Sequence, residues 1–407
     1  MSSVISNKKY KIALFQGGLA DNGYGFNKTM NLLQNASNNF LKYSSRIDMT
    51  HFNPEQNCFY GNVSGYYTKS AQATNDFKAL IANIVAYAEA NEGKTILVGT
   101  YLNRGFKTNH DLDSIENQKT KLVYIIDEIK KYSNVELSLV GHSQGGLVNL
   151  EAAIDRSSKI KRLISISTPY APVYLGEKLI FLDFFFKIGG ETAYSLFCND
   201  PKNIPAYKAC VEKLCSSSYY SDLKSRWNNL SSRPPLTVIT GTAGHLSTFI
   251  PGVYNEYCYN PDTFMKESFD GLVKFSEQAN IQNATFIHLA DNNLPCYAEK
   301  GFAKNMCYYQ QGLYSSCKKN CNLSSISFSG TVIDVLFDLI GNAINGKDIH
   351  NFANYNVAVA IFAGLEKDLT KVPSGYMNYY NIYSNDYNHD FIRYNSDTIS
   401  HLLALLN

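Results

Sequence analysis

No segment of the 407-residue sequence approaches the roughly 20 consecutive apolar residues that a membrane-spanning helix requires. The longest apolar burst, Leu179 to Phe186 (LIFLDFFF), is short and contains Asp183. There is no charge excess of either sign. The 37 basic and 35 acidic residues leave a formal net charge of +2, which argues against nucleic acid as a partner, since such proteins carry a basic excess or stripe. No Cys-x-x-Cys pair occurs among the nine cysteines, so neither a zinc ribbon nor a thioredoxin-like motif is indicated. The cysteines read as reduced thiols. The rival reading, in which Cys198, Cys210 and Cys215 and then Cys307, Cys317 and Cys321 staple two loops after export, stays open. The N-terminal stretch MSSVISNKKYKIALF has no long apolar run ahead of a cleavage site. A secretory signal peptide is therefore not expected, and the chain is expected in the cytoplasm or exported without such a peptide. Internal repeats and low-complexity linkers are also missing, and nothing in the sequence reports an oligomeric state.

What is present is core-forming material. Hydrophobic residues make up 45% and charged residues 18%, which excludes wholesale disorder and allows one large domain with insertions. The first half alternates strand-like and helix-like segments. Lys9–Phe15, Arg46–Phe52, Thr95–Val98, Val135–Val140 and Lys161–Ser167 read as strands. Asn27–Tyr43, Ala73–Ala90, Leu112–Tyr132 and Gly145–Arg156 read as helices, with Phe77, Leu80, Ile81, Ile84, Val85 and Ala88 at helical spacing in the second. Such alternation predicts a mostly parallel central sheet with helices on both faces. After Ala171 the rhythm breaks. Residues about 173–233 form a mainly helical block, Pro234–Gly241 and Ala284–Leu289 resume as strands, and residues about 295–378 form a second irregular block. Tyr379–Ser384 reads as the last strand and Thr398–Leu406 as the last helix. The reading is a single domain over 1–407 with two mainly helical cap insertions, at about 173–233 and 295–378.

The densest signal is Gly141-His142-Ser143-Gln144-Gly145, which ends an apolar strand and opens a helix. A serine hydroxyl is a poor nucleophile unless a base holds its proton and its oxygen stands clear of the backbone. A sharp strand-to-helix turn gives that exposure, and glycines two before and two after let the strand and helix pass closely. The N–H groups and dipole at the start of the helix favour negative charge beside the serine.

VGHSQGG resembles the nucleophile elbow of lipases and lipase-like members of the α/β-hydrolase family. RLISISTPYAP is similar to the strand end that follows in bacterial lipases, with Tyr170 where those usually have His and Ala171 where they usually have Gly. The resemblance extends over residues 9–172, 234–290 and 379–407. It implies the α/β-hydrolase fold and a Ser, acid, His order along the chain. One oxyanion donor is then the N–H of Gln144. The other comes from the loop Gln16-Gly17-Gly18-Leu19, with Gly18 aligned to the donor position and Leu19 as the neighbouring alternative; Gln16 stands where lipases usually have His. For the acid, Phe269-Asp270-Gly271-Leu272-Val273-Lys274-Phe275-Ser276 is similar to the loop that carries it in many lipases, so Asp270 is favoured over Asp291 and Asp386. For the base, His389 follows a late strand and precedes the terminal helix, the lipase layout, and is favoured over His288 and His401.

The resemblance implies a carboxylic-ester hydrolase working through an acyl-enzyme, with a lipid or long-chain acyl ester as substrate, phospholipid included, and no cofactor or metal. An acyltransferase using the same acyl-enzyme and a non-catalytic binding protein on the same scaffold are the alternatives. The run Leu179 to Phe186 fits either packing of the first cap against the main domain or a lid that meets an acyl chain, membrane or lipid surface transiently.

Overall fold

The computed structural model describes residues 9–19, 21, 23–64, 66–106, 113–173, 209, 212–242, 244–245, 268–270, 273, 275–290, 389 and 391–407. Thirteen strands are described. They are β1 Tyr10–Gln16, β2 Phe40–Lys42, β3 Ile47–Asp48, β4 Phe52–Asn53, β5 Cys58–Val63, β6 Tyr66–Lys69, β7 Thr95–Tyr101, β8 Val135–His142, β9 Arg162–Ile166, β10 Leu236–Thr242, β11 Gly244–His245, β12 Ser268–Phe269 and β13 Ala284–Ala290. The helices are α1 Asn27–Ala36, α2 Ala71–Ala90, α3 Ile115–Ile129, α4 Gln144–Asp155, α5 Ser217–Asn228, α6 Phe275–Gln278 and α7 Ser396–Leu406.

Eight strands form one sheet in the order β13-β10-β9-β8-β1-β7-β2, with β3 also paired to β7. Every pairing in it is parallel among the described residues. The chain starts in the middle at β1, builds out through β7 on one side, then crosses to β8 on the other and continues to β13. That reversal puts a topological switch between β1 and β8, and open α/β sheets bind ligands at the carboxyl ends of the strands beside such a point.

Both faces of the sheet are buried, which is why its strands are nearly continuous apolar runs. Along β1 the pleat sends Ile12 and Leu14 into one core and Ala13 and Phe15 into the other. The first core is closed by Ile81 and Ile84 of α2, Leu122 and Ile125 of α3, Leu147 and Leu150 of α4, and Tyr220 and Trp227 of α5. The second is closed by Met30 and Leu33 of α1 and Leu402 and Leu406 of α7. Four helices start on side-chain caps: Ser70 Oγ accepts from Ala73 N at 3.0 Å, Ser114 Oγ from Asn117 N at 3.1 Å, Ser216 Oγ from Tyr219 N at 3.3 Å and Asn395 Oδ1 from Thr398 N at 2.8 Å.

The expected two-faced parallel sheet is therefore present. Four details differ from the sequence expectation. The single strand expected over Arg46–Phe52 is split into β3, paired with β7 in the main sheet, and β4, which pairs antiparallel with β5 outside it. The helix expected over Asn27–Tyr43 stops at Ala36, and Phe40–Lys42 joins the sheet edge as β2. A hairpin, β5–β6, precedes α2. Ser217–Asn228, placed by the sequence in the first cap, packs its buried Tyr219, Tyr220, Leu223 and Trp227 into the main core. Among the described residues it is the helix on the crossover between the parallel strands β9 and β10, a connection that parallel neighbours need. The rest of that block over 174–208, the whole block over 295–378 and the strand expected at Tyr379–Ser384 lie outside the described residues. No helix among the described residues is long and apolar enough to cross a membrane.

Candidate active site

Ser143 occupies the turn between β8 and α4 with φ 53° and ψ −128°, a region that costs a non-glycine residue roughly 1–3 kcal/mol. It stands in the N-cap position of α4, where serine hydroxyls commonly bond the first turn, yet its side chain makes no capping bond. The turn is held by the backbone instead. Ser143 N–H donates to Ile166 O at 3.0 Å, and Gly146 N–H donates to Ser143 O at 3.0 Å. The flanking glycines are required by space. A Cβ at Gly141 would stand 2.6 Å from Gly145 O and Gly146 N, and one at Gly145 would run into the carbonyls of Gln16 and Gly17.

The loop after β1 lies against this elbow. A Cβ on Gly18 would stand 3.0 Å from Ser143 Cβ, so the Gly18 backbone is beside the serine. Gln144 opens α4, where an N–H has no acceptor within its own helix. Beneath both runs a buried amide chain. Gln16 Nε2 donates to Asn103 Oδ1 at 2.9 Å and to Gln118 Oε1 at 3.4 Å, Thr100 Oγ1 donates to Gln16 Oε1 at 2.6 Å, and Asn103 Nδ2 donates to Gly18 O. Gln118 Nε2 in turn donates to Gln144 Oε1 at 3.2 Å. Below it, Lys121 is fully buried against Asp113 at 2.5 Å and also donates to the carbonyls of Leu102 and Arg104. Burial pushes the Lys121 ammonium down from its ordinary range, with the Asp113 carboxylate opposing that shift.

Asp270 is fully buried. Its Oδ1 accepts from Val273 N at 2.8 Å, and its Oδ2 accepts from Gln278 Nε2 at 3.3 Å and from His389 Nδ1 at 2.7 Å. The main chains join as well, His389 N–H donating to Asp270 O at 2.6 Å. Gln278, on α6, also bonds both backbone groups of Gly241 at the end of β10, so it ties the acid loop to the sheet. His142, directly before Ser143, donates from Nε2 to His389 O at 2.6 Å. Burial, with Arg393 and His389 adding to it, holds the His142 imidazole well below the ordinary histidine range, so the ring is neutral with its proton on Nε2. A further tie runs from Arg393 Nη1 to Asp21 Oδ2 at 3.4 Å, joining the segment after His389 to the loop after β1.

A family model described as "Putative serine esterase (DUF676)" matches residues 63–179, the stretch that holds β7, the elbow and β9. The fold is that of the α/β hydrolases. Among solved structures the chain is similar to the Bacillus licheniformis lipase BlEst2 in mature form, at 14% identity and a TM-score of 0.37 over 70% of this chain and 84% of that one. It is similar to a lipase-esterase related protein from Clostridium acetobutylicum at 14% identity and a TM-score of 0.32, covering 70% of this chain and 87% of that one. It is also similar to a monoacylglycerol lipase from Paleococcus ferrophilus at 13% identity and a TM-score of 0.31, with the same coverages of 70% and 87%. No curated protein matches the sequence.

The alternates singled out in the sequence for the base and the acid are placed elsewhere or lie outside the described residues. His288 sits in β13 with Nδ1 2.9 Å from Thr240 Oγ1, and His401 is on α7. Asp291 and Asp386 are outside the described residues. Tyr170 is buried, with its hydroxyl donating to Ser165 Oγ at 2.8 Å, so it serves as a core anchor at the end of β9. Sequence reasoning missed His142, Gln278 and the Gln16-Asn103-Gln118 chain. His142 was visible as the x before serine in the motif, whereas Gln278 and Asn103 carry no local signal.

Proposed function

We propose that this protein is a serine hydrolase that cleaves carboxylic esters through an acyl-enzyme on Ser143. His389 is the general base, Asp270 orients it, and the N–H groups of Gly18 and Gln144 form the oxyanion hole. The observation that carries the reading is the doubly bonded His389–Asp270 pair, tied through His142 to the elbow that bears Ser143. As Ser143 Oγ attacks the ester carbonyl, His389 Nε2 takes its proton, and Asp270 stabilises the imidazolium without taking the proton itself. Backbone donors aimed at the developing oxyanion lower the barrier by about 3–4 kcal/mol each in comparable sites. The imidazolium then protonates the departing alkoxide. His389 then takes a proton from a water that attacks the acyl carbonyl, and the imidazolium returns it to Ser143 Oγ as the acyl–oxygen bond breaks, freeing the acid. These steps need no cofactor. The lipase-like motifs VGHSQGG and STPYAP support lipid or long-chain acyl esters, phospholipid included, as the substrate class.

Hydrolysis of a short and a long p-nitrophenyl ester by wild type and Ser143→Ala tests this reading. Wild type should cleave, and the variant should lose about 10⁴-fold or more. A preference for the long ester is expected from the substrate class. A Ser143→Ala variant that keeps wild-type turnover overturns the reading.

A further inference from the structure

We propose that His142 is a positioning residue that fixes where the base stands relative to the nucleophile. The inference rests on the ester-hydrolase reading above and adds a residue to it. His389 is 119 positions from its partner Asp270 and belongs to none of the sheet strands. Something must therefore register it against the elbow. Its N–H and Nδ1 both go to Asp270, which fixes it to the acid loop. Its carbonyl goes to His142 Nε2 at 2.6 Å, which fixes it to β8 itself. His142 is the last residue of that central strand and pairs in register with Ile166 of β9, so its own position is set by the sheet.

The ring adds a second constraint. The His142 and His389 rings lie 4.7 Å apart at 52°, and Phe26 and His142 meet edge-on at 6.4 Å. His142 Nδ1 lies 3.3 Å from where a Gly18 Cβ would be. One buried imidazole thus bonds the base segment and lies beside the candidate oxyanion loop, one residue before the nucleophile. Displacing a catalytic group by about 1 Å costs on the order of 10²-fold in rate, so a lost carbonyl bond here should be read in turnover.

The experiment compares His142→Leu, which fills the space without a donor, with His142→Gln, whose amide nitrogen reaches the place of Nε2. Each is made in wild type and in Ser143→Ala, with p-nitrophenyl ester kinetics and a thermal melt. H142L should lower kcat by about 10- to 100-fold with KM changed less than about twofold, and H142Q should restore most of that loss. In the Ser143→Ala background H142L should cause no further fall. If H142L does not fold, His142→Asn replaces it, since its shorter amide stops short of the carbonyl. Wild-type kcat in H142L or H142N overturns the proposal, and so does an H142Q that falls as far as H142L. A wild type that hydrolyses neither ester overturns the underlying ester-hydrolase reading instead, and is distinguishable for that reason.

Discussion

His389 and Asp270 are joined twice, once through the imidazole Nδ1 and the carboxylate at 2.7 Å and once through the main chain at 2.6 Å. The second bond fixes the backbone that carries the ring, so the imidazole is oriented by its anchor and by its partner together. Asp270→Asn keeps the size of the side chain and replaces an acceptor oxygen with an amide that cannot stabilise an imidazolium. Turnover of a p-nitrophenyl ester should fall by about 10³- to 10⁴-fold with the melting temperature little changed. A fall of less than tenfold would assign the acid's role to another carboxylate.

The contact between the loop after β1 and the elbow depends on a missing side chain. Gly145→Ala places a Cβ against the carbonyls of Gln16 and Gly17. Overpacking of this kind costs about 1–3 kcal/mol, and here it also parts Gly18 from Ser143. Gly93→Ala is the contrast, because Gly93 has φ +82° with nothing within 4 Å, so only backbone strain of about 1–2 kcal/mol is expected. Urea unfolding and ester kinetics on the pair should show activity lost in Gly145→Ala alone.

Trp227 decides where the main domain ends. It is fully buried, its Nε1 donating to Gln282 O at 3.1 Å, and it packs in the core with Leu223 and Tyr220. Trp227→Ala should cost about 3–5 kcal/mol in urea unfolding. A helix belonging to a separable cap would lose far less.

The pH dependence of stability follows from His142. Its folded pKa is depressed by burial, whereas an unfolded histidine titrates near about 6.5. Above that value both states are neutral and the group contributes nothing. Below it the unfolded chain takes up a proton that the folded ring refuses, so stability falls as pH falls, by up to about 1.4 kcal/mol per unit. His142→Gln should flatten the urea midpoint between pH 6.5 and 5 relative to wild type. Equal slopes in the two proteins would place the acid sensitivity elsewhere.

Much of this was legible in the sequence because the central strands are buried on both faces, and continuous runs such as YKIALF and VELSLV announce that. The elbow was legible because its glycines are forced by space. β2 was not, because three residues after a helix carry no period of their own. Ser217–Asn228 was misassigned because the rhythm breaks at Ala171 and nothing local marks where the chain returns to the core, although Ser216 and the spacing of Tyr219, Tyr220, Leu223 and Trp227 are a cap and an apolar face. The burial of Lys121 was not legible, because only the fold brings Asp113 and two carbonyls to it. Gln278 and His142 act through bonds to residues far away in the chain, which no local pattern records. The pairing of Asp270 with His389 came from resemblance and layout, and the geometry brings those two side chains together.

The most direct test of the central claim is covalent. The protein is treated with a fluorophosphonate, digested, and the adduct located by mass spectrometry in wild type, Ser143→Ala and His389→Ala. An elbow serine activated by His389 should carry the adduct at Ser143 in wild type, lose it in Ser143→Ala and acquire it far more slowly in His389→Ala. An adduct on a different serine, or a labelling rate at Ser143 unaffected by His389→Ala, would contradict the account.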